Sequence, residues 1–377
     1  EHRRVEELGF YKNNLIKYFN VSTQSGIGGV SFFNMVYTED KIKSALELIN
    51  NSKEIVIISH KSPDGDSIGS SIALYYYLKA KKANVTMCHP DNAPNFLNWM
   101  TGTDDILTLE SDEDHVNEKM AKADLIFLLD FNTSGRIGKL DTILEETTAK
   151  RIMIDHHREP NLNFADLIFS DIQSCSTAQL IYEFIEASND LDLLDRNIAQ
   201  AIYTGIITDT GSFRFSSVQP KTHRIAASLL DLNIDHSTIH ESLFDSNSEN
   251  RIRLVSYAML EKLVINRDLH TAYISLNKAE LERFTAEKGD TEGLVNQALS
   301  IEGIKMAVFF KESDGIIKIS FRSIGKIPVN EMAKNNFGGG GHLNAAGGKF
   351  VGKLTDAIDS FVTILPKFVN NNKSTFE

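Results

Sequence analysis

The chain contains the stretch Ile55-Val-Ile-Ile-Ser-His60-Lys-Ser-Pro-Asp64-Gly-Asp66-Ser-Ile-Gly69-Ser70. An apolar strand leads here into a loop that holds one imidazole and two carboxylates, and a helix is predicted directly afterwards. Close carboxylates at the end of an apolar strand are costly unless a cation neutralises them, because they repel each other and otherwise take up protons. A structural alternative also exists, since Asp66 or Ser67 can cap the helix and Pro63–Gly65 can form a turn.

Three further apolar segments also end in acidic side chains. They are Leu125-Ile-Phe-Leu-Leu-Asp130, Arg151-Ile-Met-Ile-Asp155-His156-His157 and Ile206-Ile-Thr-Asp209-Thr-Gly211. Ligands of an open α/β sheet bind outside the carboxyl ends of its strands, so we expect these groups to converge in one crevice. A single acid after an apolar run is usually a cap or a turn residue. Several at one sheet edge, with three histidines among them, predict a metal centre.

The residue types narrow the choice of metal. Carboxylate and imidazole ligands without thiolate suit Mn²⁺, Mg²⁺, Fe or Zn²⁺, and an oxygen-rich set favours Mn²⁺. About six such groups are more than one open catalytic ion needs. Two ions about 3.5–4 Å apart that share a bridging carboxylate would use all of them and would activate water for attack on phosphorus. We therefore predict a two-metal phosphoesterase with two Mn²⁺ ions, with Mg²⁺ or other divalent ions as alternatives.

The periodicity of the apolar residues predicts two α/β units. From Lys43 onward, short apolar runs alternate with amphipathic stretches, which is typical of a parallel sheet covered by helices. The strands predicted for this unit are Glu54–Ser59, Val85–Cys88, Asp124–Asp130 and Arg151–Asp155. Its predicted helices are Ser67–Lys82, Thr133–Glu146, Thr177–Ala187, Arg196–Ile207 and Thr222–Leu232, and a further predicted helix, Glu249–Val264, is the candidate connector between the two units. The smaller unit has predicted strands Thr271–Leu276, Lys305–Lys311 and Ile316–Arg322, and helices Lys278–Ala286, Thr291–Ser300 and Leu354–Val369.

The 377 residues exceed the roughly 250–300 at which a single core stops growing, so two domains are expected. We expect residues 1–34 to be an N-terminal extension, with Met35 as the natural start of the protein. Residues 35–232 would form the metal-binding domain and residues 233–264 a helical linker. Residues 265–377 would form a smaller α/β substrate-binding domain, with a cleft between the two domains.

Bulk composition limits the possible partners. The longest apolar stretches, such as Leu125–Leu129, are far shorter than the ~18 residues of a membrane helix, so we expect a soluble protein with no membrane partner. A net charge of −12 argues against a partner of long duplex nucleic acid, which usually needs a basic face. The two cysteines, Cys88 and Cys175, form no CxxC motif, and this favours a reducing, cytoplasmic location.

The four metal motifs together resemble those of the DHH phosphoesterases, a family named after a triplet that reads Asp155-His156-His157 here. The resemblance extends from about Met35 to about Val369. It implies that the first metal is held by His60 and Asp64, the second by Asp66, His156 and Asp209, and both by Asp130. It further implies that Asp155 orients a metal ligand without binding the metal itself, and that His157 lies near the scissile phosphate. Asp130, Asp155 and His157 are thus the expected catalytic residues.

The smaller unit carries two further motifs, Ser320-Phe-Arg322-Ser323 and Asn336-Phe337-Gly338-Gly-Gly-Gly341-His342. Glycines let backbone N–H groups approach an anion, and a helix starting at about His342 would add its positive end. A glycine run alone is more often a flexible loop. The context nevertheless resembles the DHH-associated domain. That resemblance implies that the phosphate and base of the substrate are held by Arg322, Ser323, Gly340, Gly341 and His342.

One DHH domain, a short linker and one associated domain resemble the nano-RNase and pAp-phosphatase branch of the family. This implies hydrolysis of short oligoribonucleotides and linear dinucleotides to nucleoside 5′-monophosphates, with Arg322 and His342 neutralising substrate charge. Removal of the 3′-phosphate of 3′-phosphoadenosine 5′-phosphate (pAp) is a second implied activity. The alternatives are a cyclic-dinucleotide phosphodiesterase, a family II inorganic pyrophosphatase and a non-catalytic nucleotide sensor. The sequence leaves the oligomeric state open, and a homodimer is one candidate.

Overall fold

The computed structural model describes residues 36–287, 289–313 and 315–376. These residues form two lobes, each built around its own six-stranded sheet. The expected N-terminal extension and the expected start at Met35 lie outside the described residues. Within the described ranges, no helix is long and apolar enough to cross a membrane.

The first lobe contains a parallel sheet, as predicted. Its strands are β1 (Ile55–Ser59), β2 (Val85–His89), β3 (Ile106–Thr108), β4 (Leu125–Leu129), β5 (Lys150–Asp155) and β6 (Leu167–Ser170). They lie in the order β3-β2-β1-β4-β5-β6, and every neighbouring pair is parallel. The strand order reverses between β1 and β4, so a ligand crevice is expected outside the carboxyl ends of these two strands.

The apolar runs of the central strands follow from burial on both faces of the sheet. Every residue of β1 and β4 is buried. Ile55 and Ile57 belong to one core cluster, whereas Val56 and Ile58 belong to another, because successive side chains point to opposite faces. With helices on both sides, neither face needs polar residues, and the strands read as continuous apolar runs.

In the described part of the chain, the helices of this lobe are α1 (Glu39–Asn51), α2 (Gly65–Ala80), α3 (Glu113–Lys122), α4 (Leu140–Glu146), α5 (Thr177–Ala187), α6 (Arg196–Asp209) and α7 (Pro220–Leu230). Helix α6 packs very closely on α2 and α5. A Cβ atom at Gly205 would lie 2.4 Å from Cβ of Ala178 and 2.9 Å from Oδ1 of Asp66. Only glycine allows this approach, which brings the end of α6 to the start of α2.

The predicted helix Thr133–Glu146 is wrong in its first half. Ser134–Arg136 forms a 3₁₀ turn, and Gly138 has a positive φ of 59°, so the α-helix begins only at Leu140. The short strands β3 and β6 were not predicted, because runs of three or four residues show too little periodicity.

Short helical segments connect the two lobes. They are α8 (His236–His240) and α9 (Glu249–Tyr257), each followed by a five-residue π-helical turn. The predicted helix Glu249–Val264 is too long, since strand β7 (Leu263–Asn266) begins inside it. These residues pair with the next strand, and this pairing overrides the helical pattern.

The second lobe has a mixed sheet. Its strands are β7, β8 (Thr271–Leu276), β9 (Met306–Ser313), β10 (Ile316–Ser323), β11 (Gly340–His342) and β12 (Ala345–Val351), in the order β11-β12-β10-β9-β8-β7. Only β8 and β9 pair in parallel; the other pairs are antiparallel. Its helices are α10 (Lys278–Arg283), α11 (Leu294–Leu299), α12 (Val329–Asn336), α13 (Leu354–Asn371) and α14 (Lys373–Phe376).

Candidate active site

A first cluster of polar side chains lies at the switch point between β1 and β4. His60 follows β1 and Asp130 follows β4, and Nε2 of His60 lies 3.1 Å from Oδ2 of Asp130. The same nitrogen lies 3.8 Å from Oδ2 of Asp64. One ligand atom from each of these three residues lies within 4.8 Å of the other two, so they could hold a metal ion.

A second cluster adjoins the first and shares Asp130 with it. Nε2 of His156 lies 3.4 Å from Oδ1 of Asp130 and 3.9 Å from Oδ2 of Asp66. Asp209, at the end of α6, brings its Oδ2 to 3.5 Å from the same nitrogen. Asp130 thus faces His60 with one oxygen and His156 with the other. The structure brings together all six residues expected to be metal ligands.

Local backbone structure explains how two of the carboxylates reach these positions. Asp64 is the N-cap of α2, and its side chain accepts hydrogen bonds from the N–H groups of Asp66 (3.1 Å) and Ser67 (3.0 Å). Asp64 therefore caps α2 and also belongs to the first cluster. Asp130 has a φ of +64°, which is uncommon for a residue with a side chain and points to a functional constraint.

The electrostatics of the clusters fit a site for divalent cations. Burial and the charges of Asp130 and Asp209 raise the pKa of Asp66 well above its usual value. Burial raises the pKa of Asp209 to about 7. Burial alone would lower the pKa of His60, but its hydrogen bond to Asp130 and the charge of Asp64 outweigh it and raise that pKa to about 9. Several carboxylates buried this close together favour a neutralising cation, and the donor set of carboxylates and imidazoles suits Mn²⁺ or Mg²⁺.

The structure changes the expected partner of Asp155. This fully buried carboxylate lies 2.7 Å from Nδ1 of His157 and accepts the backbone N–H of the same residue at 3.1 Å. Asp155 therefore orients His157 rather than a residue of the two clusters. His156 is oriented by a backbone carbonyl instead, since its Nδ1 lies 3.3 Å from the oxygen of Ser174.

His342 comes to the clusters from the second lobe. Its ring stacks on His157, with a centroid distance of 4.9 Å and an interplanar angle of 24°, and lies 5.1 Å from the ring of His156. The prediction of a helix start here is wrong, because Gly340–His342 pairs with Ala345–Gly347 as a β-hairpin. Gly341 has a φ of +138°, and a Cβ there would lie 2.5 Å from the carbonyl oxygen of Ala345.

The expected positive charge on His342 is not present in this environment. Burial and the neighbouring imidazoles of His156 and His157 lower the pKa of His342 to about 3. The ring is therefore neutral near pH 7 and can donate a hydrogen bond without supplying charge.

The other expected substrate residues differ in their surroundings. Burial lowers the pKa of Arg322, while the charges of Asp209 and Glu292 act in the opposite direction. The guanidinium therefore interacts electrostatically with Asp209 of the second cluster. The hydroxyl of Ser323 is buried, donates to the carbonyl of Ile327 (2.8 Å) and accepts from the amide of Asn344 (2.9 Å). These internal bonds do not favour the expected contact of Ser323 with substrate. Gly340 is exposed on the hairpin.

One residue of the site could not be predicted from the sequence. The hydroxyl of Thr177 donates to Oδ1 of Asp130 at 3.0 Å, although the sequence marks this residue only as the start of a helix.

The fold and the site together define a class. A parallel α/β lobe with carboxylate and imidazole clusters at its switch point, faced by a histidine from a second α/β lobe, is an arrangement typical of metal-dependent phosphoesterases.

Comparison with known proteins identifies the family. The model of the DHH family N-terminal domain matches residues 54–206, and that of the DHHA1 domain matches residues 269–371. The chain is 30% identical to the bifunctional oligoribonuclease and PAP phosphatase NrnA of Thermus thermophilus, over 79% of this chain and 84% of that protein. The chain therefore belongs to the DHH family, and it is a metal-dependent phosphoesterase.

The chain is also similar to two further proteins, one with a solved structure and one with a named enzymatic activity. A solved structure of an exopolyphosphatase-related protein from Bacteroides fragilis superposes with a TM-score of 0.84 at 37% identity, covering 89% of this chain and 98% of that one. The cyclic-di-AMP phosphodiesterase PdeA of Listeria monocytogenes is 26% identical over 80% of this chain, but only 45% of that longer protein is covered.

Proposed function

We propose that the protein hydrolyses short oligoribonucleotides and linear dinucleotides to nucleoside 5′-monophosphates, and that it also converts pAp to AMP. The observation that carries this proposal is the pair of clusters that share the carboxylate of Asp130. Similarity to NrnA over most of both chains supports the choice of substrates.

The clusters suggest how two cations would be held. One would be bound by His60, Asp64 and Asp130, and the other by Asp66, Asp130, His156 and Asp209. When bound, such a pair acts as a Lewis acid toward phosphoryl oxygens and lowers the pKa of a water molecule. Mn²⁺ is the ion that we propose, because most of the ligand atoms are oxygens.

The remaining residues would act on the substrate. Nδ1–H of His157 is taken by Asp155, so Nε2 is the ring atom left for the substrate. His342 is neutral and would donate a hydrogen bond to a phosphoryl oxygen. Arg322 supplies the positive charge, and a guanidinium fits two phosphate oxygens at once. In this proposal the domain expected over residues 35–232 carries the metals, and the domain expected over residues 265–377 carries the substrate contacts.

The proposed setting of the enzyme rests on charge and cysteine chemistry. A net charge of −12 disfavours long duplex nucleic acid, whereas a short substrate needs only the local charge of the site. Both cysteines are free and buried, which suits a reducing cytoplasm. A homodimer is the candidate oligomeric state in this proposal.

A substrate panel tests the proposal. Purified protein with Mn²⁺ is given labelled di- to pentaribonucleotides, pAp, and one dinucleotide in linear and cyclic form. We expect nucleoside 5′-monophosphates from the linear substrates and AMP from pAp, with the variant Asp130→Asn as the inactive control. Faster cleavage of the cyclic than of the linear dinucleotide would favour the cyclic-dinucleotide alternative. Binding of a diribonucleotide without cleavage would favour a nucleotide sensor.

A further inference from the structure

We propose that one short segment, Ser174–Ala178, positions the ligands of the second cluster, and that the hydroxyl of Thr177 is its critical group. We call this segment the positioning turn. Its role rests on the proposed two-metal function, because it acts on residues that would hold the cations. It would be a positioning element, since it contacts ligand residues and not the substrate.

The positioning turn makes four hydrogen bonds to three residues of the second cluster. The hydroxyl of Thr177 donates to Oδ1 of Asp130 at 3.0 Å. The backbone N–H groups of Thr177 and Ala178 donate to Oδ2 and Oδ1 of Asp66, at 2.6 and 2.8 Å. The carbonyl of Ser174 lies 3.3 Å from Nδ1 of His156.

These contacts fix the orientation of Asp66 and Asp130 and the tautomer of His156. Each oxygen of Asp66 accepts one backbone N–H group, so the plane of that carboxylate cannot rotate. When the carbonyl of Ser174 accepts from Nδ1–H of His156, Nε2 becomes the nitrogen with a free lone pair, as metal binding requires. The hydroxyl of Thr177 holds the oxygen of Asp130 that faces His156.

Helix stability does not explain the hydroxyl of Thr177. The N-cap of α5 is Ser176, whose side chain accepts from the N–H group of Gln179 at 3.0 Å. The cap is therefore complete without Thr177. The side chain of Thr177 is fully buried, and its hydroxyl is directed at the carboxylate that both clusters share.

Removal of such an orienting partner typically lowers metal affinity by about 10- to 100-fold. Thr177→Val keeps the shape of the side chain and removes only the donor, so Asp130 gains rotational freedom. We expect Mn²⁺ to bind one of the two sites 10- to 100-fold more weakly, while Thr177→Ser, which keeps the hydroxyl, binds like the unaltered protein. Activity of Thr177→Val should recover at high Mn²⁺, because the substrate contacts are intact.

Thr204→Val is the matched control. Thr204 is another fully buried helical threonine, but its hydroxyl donates to the carbonyl of Gln200 within its own helix, at 2.8 Å. This variant loses the same chemical group without touching a cluster, so its Mn²⁺ affinity should not change.

The test measures Mn²⁺ binding by calorimetry and the electron paramagnetic resonance signal of a spin-coupled Mn²⁺ pair, without substrate. Loss of the coupled signal at low Mn²⁺ in Thr177→Val alone supports the proposal. Unchanged binding in Thr177→Val, or an equal loss in Thr204→Val, overturns it. If Thr177→Val does not fold, Thr177→Ala is judged by the same criteria. If the unaltered protein binds no Mn²⁺ pair, the proposed function itself fails, and this outcome is distinct from failure of the positioning role.

Discussion

Asp130→Asn should weaken both proposed metal sites at once. The amide keeps the size of the carboxylate but removes the negative charge that faces His60 at 3.1 Å through one oxygen and His156 at 3.4 Å through the other. Loss of a group that merely orients a ligand costs 10- to 100-fold in affinity, so loss of a shared ligand should cost at least about 100-fold per site. This corresponds to about 2.7 kcal/mol for each ion.

Two single-cluster variants provide the comparison. Asp64→Asn should weaken only the first site and Asp209→Asn only the second, because neither residue belongs to both clusters. Calorimetric titration with Mn²⁺ gives the two affinities, and hydrolysis of a labelled diribonucleotide and of pAp gives the activities. Asp130→Asn should abolish both activities together. Loss of only one binding event, or of only one activity, would contradict a shared carboxylate and indicate separate sites.

Three further predictions concern pH, packing and the second lobe. The pKa of His60 is raised to about 9, so its proton must leave before a cation binds. The Mn²⁺ affinity of the site formed by His60, Asp64 and Asp130 should therefore rise by about tenfold per pH unit between pH 6.5 and 8.5, as one proton is displaced, and calorimetry measures this rise. Gly205→Ala places a Cβ atom 2.4 Å from Cβ of Ala178, and the resulting overpacking should lower the free energy of unfolding in urea by about 1–3 kcal/mol. His342→Ala should lower kcat/KM by about 10- to 100-fold through loss of a hydrogen bond to the charged substrate, with Mn²⁺ affinity unchanged in the same titration.

The sequence was sufficient to predict which side chains meet at the parallel sheet. His60 and Asp130 directly follow buried strands, and the carboxyl ends of parallel strands share one edge, so their convergence follows from the fold class alone. Asp209 is instead the last residue of helix α6, and it reaches the second cluster because Gly205 allows that helix to pack closely. A local pattern can show the glycine but not the neighbour that it accommodates.

The features that were missed depend on contacts between distant segments. Thr177 reads as the first residue of a helix, and only the folded chain shows that its hydroxyl reaches Asp130, 47 residues away. The partner of Asp155 could not be predicted either, because two histidines follow it in the sequence and only the folded chain shows that its carboxylate bonds to His157. The neutral state of His342 results from burial between two other imidazoles, which the position of a glycine-rich motif cannot reveal.

The most direct test of the metal centre is anomalous X-ray scattering from crystals grown with Mn²⁺. We predict two anomalous peaks, one among His60, Asp64 and Asp130 and the other among Asp66, Asp130, His156 and Asp209. A single peak, peaks at other residues, or no peak in crystals of active protein would contradict the pair of cations that share Asp130.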